Sequence, residues 1–155
     1  MISPELLRRY PFFGFMEDKE LKAVAMIAEE QVYEKDAIVL KADELANTLF
    51  FLEEGSVSNY FIVEDLHNNH KELFIDNINP GEIFGFSALI EPYKYTATVR
   101  ADKNCKVIKI DGAALRALCQ FDPRLWCGLL QATTKVIMQR LRDTRILLAA
   151  ATAKV

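Results

Sequence analysis

The sequence predicts a mainly β fold, of sandwich, roll or barrel type, with helices on either side. Three observations carry this expectation. Leu21, Val24, Ala25 and Ala28 recur at i, i+3, i+4 and i+7, the stripe of an amphipathic helix. From residue 29 to residue 111 the period shortens, and short β-rich runs alternate with turn residues. After Asp111 the helical period returns and continues past Ala150.

The elements follow in chain order. Residues 10–15 form an aromatic knot that contains Pro11 and Gly14, too broken for a regular helix. The amphipathic stripe comes next. The expected strands cover residues 31–33, 37–40, 49–53, 57–63, 72–78, 97–101 and 106–110. Turn residues separate them: Glu54 and Gly55 between two strands, and Asn79, Pro80 and Gly81 between two more. The polar run His67, Asn68, Asn69 and His70 reads as a hairpin tip, which makes both histidines solvated rather than a metal pair.

Asp111 caps a helix over residues 112–120, and Asp122 caps a second with Pro123 at its first position, where a missing N–H costs nothing. Along this last helix Leu130, Thr134, Ile137, Leu141, Thr144 and Leu148 recur at steps of four and three, the seam of a helix packed on another helix. The seam either packs on the chain's own β layer or joins two copies. A helix this long outruns a small domain, which favours a homodimer with Leu130, Thr134, Ile137, Leu141 and Leu148 at its interface.

A chain of 155 residues suits one domain spanning 1–155: helical over 1–28, β over 29–111 and helical over 112–155. Apolar residues make up 51% and charged residues 26%, a globular rather than disordered balance. Residues 1–121 carry a balance of −7 and residues 122–155 a balance of +4. The acidic body argues against a nucleic-acid surface on the main domain. No apolar run is long enough for a membrane span, and residues 1–15 lack the pattern of a signal peptide, so a cytoplasmic location is expected. Cys105, Cys119 and Cys127 lack C-x-x-C spacing and read as reduced, mostly buried thiols. No carboxylate pair, nucleophile–base set or metal cluster recurs in one segment, so no enzyme, catalytic residue or metal site is expected.

At residues 45–57 and 80–101 the sequence resembles the cyclic-nucleotide-binding domain family. Ala46, Leu49, Phe50, Phe51, Leu52, Gly55 and Val57 are similar to its central hairpin. Pro80, Gly81, Glu82, Ile83, Phe84 and Gly85, then Ser87 to Ile90, then Ala97, Thr98, Val99, Arg100 and Ala101, are similar to its phosphate-binding cassette and following strand. The resemblance covers nearly all of residues 10–150. It implies a β-roll or jelly-roll, cupin-like in outline, with N-terminal helices and a long C-terminal helix. It also implies a ligand pocket at Phe84, Gly85, Phe86, Ser87, Ala88, Tyr95, Thr96 and Thr144.

In the family a glutamate of the cassette accepts from the ribose 2′-OH, and an arginine before the next strand pairs with the cyclic phosphate. Here those positions hold Phe86 and Tyr95. Phe86 accepts nothing, and Tyr95 carries no charge. Each lost charged partner costs about 1.5–3 kcal/mol, so no ordinary cyclic-nucleotide ligand, and no other cofactor, is expected. Two turn positions that usually hold glycine are Asp36 and Asp43, which tolerate turn backbone.

Thr144 is similar to the hydroxyl that catabolite-activator-type proteins offer to adenine; the alternative is a threonine that fills the seam. Phe84, Phe86, Tyr93 and Tyr95 either line an apolar pocket or fill the nucleotide site, and filling is favoured because cores seldom keep empty space. The resulting expectation is a non-enzymatic regulatory domain with lost or altered nucleotide binding, signalling through a dimeric helix. A small-molecule ligand or a separate effector protein would be its partner. The rival is a cyclic-nucleotide receptor that uses Ser87, Thr96 and Thr144. The chain ends at Val155 with no room for a helix-turn-helix, so no DNA-binding domain is expected unless the chain is a fragment.

Overall fold

The structure, a computed structural model, describes residues 1–153. It opens with helix α1 (Pro4–Arg8), within the segment expected to be helical, where Ser3 accepts from the Glu5 N–H and Pro4 starts the first turn. A single 3-10 turn at Pro11–Phe13 occupies the aromatic knot. Helix α2 (Asp18–Met26) carries the predicted stripe, with Leu21, Val24 and Ala25 buried. Ala28 is a correction: it opens strand β1 (Ala28–Tyr33), so the helix stops two residues short of it and the stripe crosses into the sheet.

The roll then runs β2 (Ile38–Leu40), β3 (Thr48–Glu54), β4 (Val57–Glu64), β5 (His70–Ile78), β6 (Ile83–Phe84), β7 (Thr98–Ala101) and β8 (Cys105–Asp111). Strand β6 was missed because two residues cannot show a period of two. All pairings are antiparallel and form two sheets, β1-β8-β3-β6 and β2-β7-β4-β5. Helix α3 (Gly112–Phe121) and helix α4 (Pro123–Thr152) close the chain, capped by Asp111 on the Ala114 N–H and by Asp122 on the Leu125 N–H, as predicted. Among the described residues no helix is long and apolar enough to cross a membrane.

Strand β3 explains the arrangement. Its run Leu49, Phe50, Phe51 and Leu52 is buried throughout, so both faces of the strand are covered. Phe50 and Leu52 point between the sheets, where they join Leu40, Val57, Ile78, Phe84, Val99 and Val107. Leu49 and Phe51 point to the other face, against Leu7, Phe13, Leu21, Val24, Leu115, Leu125 and Leu129 from the helices. Tyr10 and Phe13 stack on Phe51 at 4.5 and 5.1 Å between centroids.

The turns satisfy the expectations placed on them. Asp36 and Asp43 adopt φ of 72° and 68°, left-handed backbone that aspartate tolerates better than most residues. The β4–β5 hairpin places His67 and His70 at an exposed tip, with His70 beginning β5. Cys105 and Cys119 are buried free thiols, whereas Cys127 on α4 is exposed, so thiol burial holds for two of the three. Burial pushes the Cys119 thiol up to about 11, which keeps it protonated and inert at neutral pH.

The turn at Gly55 is the tightest point of the roll. Its φ is +96°, and a Cβ there would lie 2.6 Å from both the Asn104 carbonyl oxygen and the Cys105 Cβ. Gly55→Ala therefore combines left-handed strain with a clash against backbone and should cost about 2–4 kcal/mol. Urea unfolding followed by circular dichroism measures this; an unchanged midpoint would show that the hairpin can relax away from Asn104.

Candidate functional site

The cassette is built on the edge of the first sheet. The Gly81 N–H donates to the Leu52 carbonyl and the Leu52 N–H to the Glu82 carbonyl, which fastens the Pro-Gly turn to β3. Strand β6 then pairs Phe84 with Phe50 and Ile83 with Phe51. Gly85 takes φ 70° and leads into a 3-10 turn at Phe86–Leu89. A Cβ at Gly85 would meet the Phe50 ring at 3.0 Å and the Thr48 carbonyl oxygen at 3.1 Å, so this position accommodates only glycine without movement.

A cavity of about 290 Å³ lies between this turn, β4, β5, the segment from Tyr95 to Val99, and α4. Of the predicted pocket residues, Gly85, Phe86, Ser87, Tyr95, Thr96 and Thr144 line it. Thr144, from α4, thus borders the same cavity as Gly85, Phe86 and Ser87 of the cassette. Phe84 and Ala88 do not line the cavity. Phe84 is 1% exposed and stacks on Phe50 at 4.9 Å, because strand alternation turns it into the core between the sheets. Ala88 is fully buried in the same core, where the next turn of backbone at Gly112 comes close.

The aromatic cluster separates in the same way. Phe86 and Tyr95 face the cavity, Phe84 joins the core, and Tyr93 faces Arg116 on the far side of the cassette. With only two of the four rings present the site is not filled, and that expectation is corrected. Tyr95 is also no stand-in for the phosphate-binding arginine. Its hydroxyl donates to the Thr48 carbonyl at 2.7 Å and accepts from the Thr48 N–H at 3.2 Å, so both functions are committed to β3. Burial raises the phenol's pKa, which keeps it neutral.

The cation of the site comes from the long helix. Arg140 lines the cavity, donates to the Ile83 carbonyl at 2.6 Å, and holds its guanidinium 5.1 Å from the centroid of the Phe86 ring. Burial lowers its pKa, and the carboxylates of Asp76 and Glu82 act against that shift. An arginine keeps its proton under such conditions. Asp76 also lines the cavity and accepts from the Asn59 side-chain amide at 2.6 Å. Sequence reasoning missed Arg140, although a signal was present: it lies four residues before Thr144, on the same face of the helix. Asp76 and Asn59 carried no comparable signal, since their placement depends on the pairing of β4 with β5.

Helix α4 has two faces. Leu125, Leu129 and Thr133 are buried, with Val136 packed beside them, and hold the helix to the domain. The predicted seam is a different stripe. Leu130 is half-buried and Thr134 exposed, while Ile137, Leu141 and Leu148 are 42%, 47% and 63% exposed. Beyond Leu130 the seam is thus not covered by the chain's own roll.

A two-sheet roll with a glycine-led cassette, flanked by a long helix that borders the cavity, is the architecture of one class of domain. The family model for the cyclic nucleotide-binding domain matches residues 30–122, and the chain belongs to that family. It is 30% identical over 111 residues to the cAMP-activated global transcriptional regulator Vfr of Pseudomonas aeruginosa, covering 69% of this chain and 50% of Vfr. It is 23% identical over 125 residues to a provisionally named potassium channel protein of Rhodopseudomonas palustris, covering 81% of this chain and 29% of that one. The chain therefore spans half or less of these curated relatives. Among solved structures, a Geobacter metallireducens protein provisionally named as cyclic-nucleotide-binding superposes with a TM-score of 0.80 at 35% identity, covering 91% of this chain and 99% of that one. The sensor domain of the regulator DNR of Pseudomonas aeruginosa shares the fold, with a TM-score of 0.68 at 20% identity over 89% of this chain and 95% of that one.

The Tyr95 geometry carries a test. Tyr95→Phe leaves the ring against the core but strips the Thr48 carbonyl and N–H of their partner. It should cost about 1–3 kcal/mol in chemical denaturation. A cost near zero would show that Thr48 finds other partners.

Proposed function

We infer that this chain is a non-enzymatic regulatory domain, one unit over residues 1–155. It retains the ligand-sensing architecture of its family but has lost ordinary cyclic-nucleotide binding. It acts in the cytoplasm as a dimer through α4, with a small-molecule ligand or a separate effector protein as its partner. One observation carries the reading. Phe86 occupies the place of the ribose-binding glutamate and packs beneath Arg140, while the Tyr95 hydroxyl, at the phosphate anchor, is committed to Thr48. Both positions hold side chains engaged elsewhere, which supports the reading that ordinary cyclic-nucleotide binding is lost.

Arg140 gives the regulatory reading a mechanism. It joins α4 to the cassette by a hydrogen bond to Ile83 and a cation–π contact with Phe86. Such a contact contributes about 0.5–2 kcal/mol. A ligand that enters the cavity competes with these contacts. It can shift the helix by as much as its affinity for the two placements differs.

A second reading, a cyclic-nucleotide receptor with atypical contacts, is favoured by a specific feature. The cavity of about 290 Å³ is bordered by Arg140, Ser87, Thr96 and Thr144, one cation and three hydroxyls. Calorimetry separates the two. Loss of two charged partners at about 1.5–3 kcal/mol each predicts cyclic AMP and cyclic GMP affinities about a hundredfold to ten-thousandfold below those of an intact site. Micromolar or tighter binding of either would establish the receptor reading.

The dimer has its own test. The exposed stripe of Ile137, Leu141 and Leu148 calls for a cover in water. Sedimentation at low micromolar concentration should report two chains, and Ile137→Glu with Leu141→Glu should report one. A wild-type monomer at high concentration would overturn the dimer.

A further inference from the structure

Behind the cassette lies a second cleft, of about 280 Å³, which shares no lining residue with the first. Leu89, Tyr93, Arg116, Cys119, Gln120 and Trp126 form its walls. Arg116, from α3, dominates it. Its guanidinium stacks over the Tyr93 ring at 4.1 Å from the centroid, and one of its amines donates to the Ala88 carbonyl. Among the described residues no carboxylate lies within ion-pair distance of Arg116, whereas Arg8, Arg100 and Arg124 each have an acidic partner.

No carboxylate stands among the residues that line the cleft. The thiol of Cys119 is buried, and burial holds its pKa at about 11, so it is neutral. Asp122, whose charge reaches Cys119, is engaged as the cap of α4 on the Leu125 N–H. Tyr93 is held in a left-handed conformation, φ 56°, rare for a bulky residue. Its backbone is fixed on both sides: its N–H donates to the Ile90 carbonyl, and its carbonyl accepts from the Ala46 N–H at 2.7 Å. The strain fixes the ring under Arg116, and such outliers gather at ligand clamps.

The geometry points to a second binding site at this cleft, for a small aromatic carboxylate. The free edge of the Arg116 fork matches a planar carboxylate. Tyr93 and Trp126 offer flat apolar walls for a ring, and Gln120 supplies a neutral polar group at the rim. Because Arg116 also holds the Ala88 carbonyl, an anion bound there acts on the back of the cassette turn.

Trp126 is the chain's single tryptophan, which provides a local signal. The full chain is titrated with benzoate and phenylacetate, with benzamide as the neutral isostere and inorganic phosphate as the anion without a ring. The carboxylates should give a saturable change in Trp126 fluorescence, and benzamide and phosphate should bind at least tenfold more weakly. Arg116→Gln should weaken benzoate at least tenfold, and Arg116→Lys, which keeps the charge without the fork, should fall between. Amide shifts on the wild-type chain give a readout independent of any variant. Benzoate should move Leu89, Tyr93 and Gln120 while Thr96 and Thr144 of the first cavity stay in place. No saturable change with either carboxylate, benzamide or phosphate matching benzoate, or shifts centred on Thr96 and Thr144 would each overturn the site.

Discussion

Double burial of β3 is the constraint on which the other features depend. A strand covered on both faces can serve two cores only if every side chain is apolar and every backbone group is paired. Leu49 to Leu52 meet the first condition, and β8 and β6 on either side meet the second. Phe50 and Phe84 then stack across the pairing, and the residue that follows must be glycine, because the backbone is left-handed there and the Phe50 ring and the Thr48 carbonyl leave no room for a side chain. The placement of the cassette is thus set by β3. On its opposite face Phe51 receives Tyr10 and Phe13, so the N-terminal segment is seated by the same strand.

The cavity combines the frame of the cassette with charges from distant elements. The Pro-Gly turn, the left-handed glycine and the short 3-10 turn form that frame. The cation of this cavity is Arg140, supplied by the helix rather than by the segment before β7, and the carboxylate is Asp76, supplied by β5 rather than by the cassette. A charge on the helix ties the cavity directly to α4. Phe86 completes the arrangement, because its aromatic face accepts the guanidinium.

Much of this was legible in the sequence, for identifiable reasons. Residues whose roles depend on local chain geometry were read correctly: the caps Asp111 and Asp122, the turn residues Asp36 and Asp43, and the long helix with its apolar stripe. Misreadings fell where an element was too short to show a period, as at β6, or where one period ran into the next, as at Ala28. Phe84 and Ala88 were assigned to the pocket by their neighbourhood in the chain. In a strand and a tight turn, adjacent residues face different sides, and proximity in sequence says little about which side is the cavity.

By itself the sequence determined the succession of helical, β and helical regions, the position of the Pro-Gly turn and Gly85, and the residue types Phe86 and Tyr95 beside them. These are properties of residue type and spacing along one segment. The tertiary structure alone decided that the cavity stays open, that the Tyr95 hydroxyl belongs to Thr48, and that Arg140 and Asp76 supply its charges. It also decided that Arg116 and Tyr93 meet behind the cassette. Each of these joins side chains from elements far apart in the chain. Their meeting depends on the packing of two sheets and a helix on β3, which no periodicity within a single segment encodes.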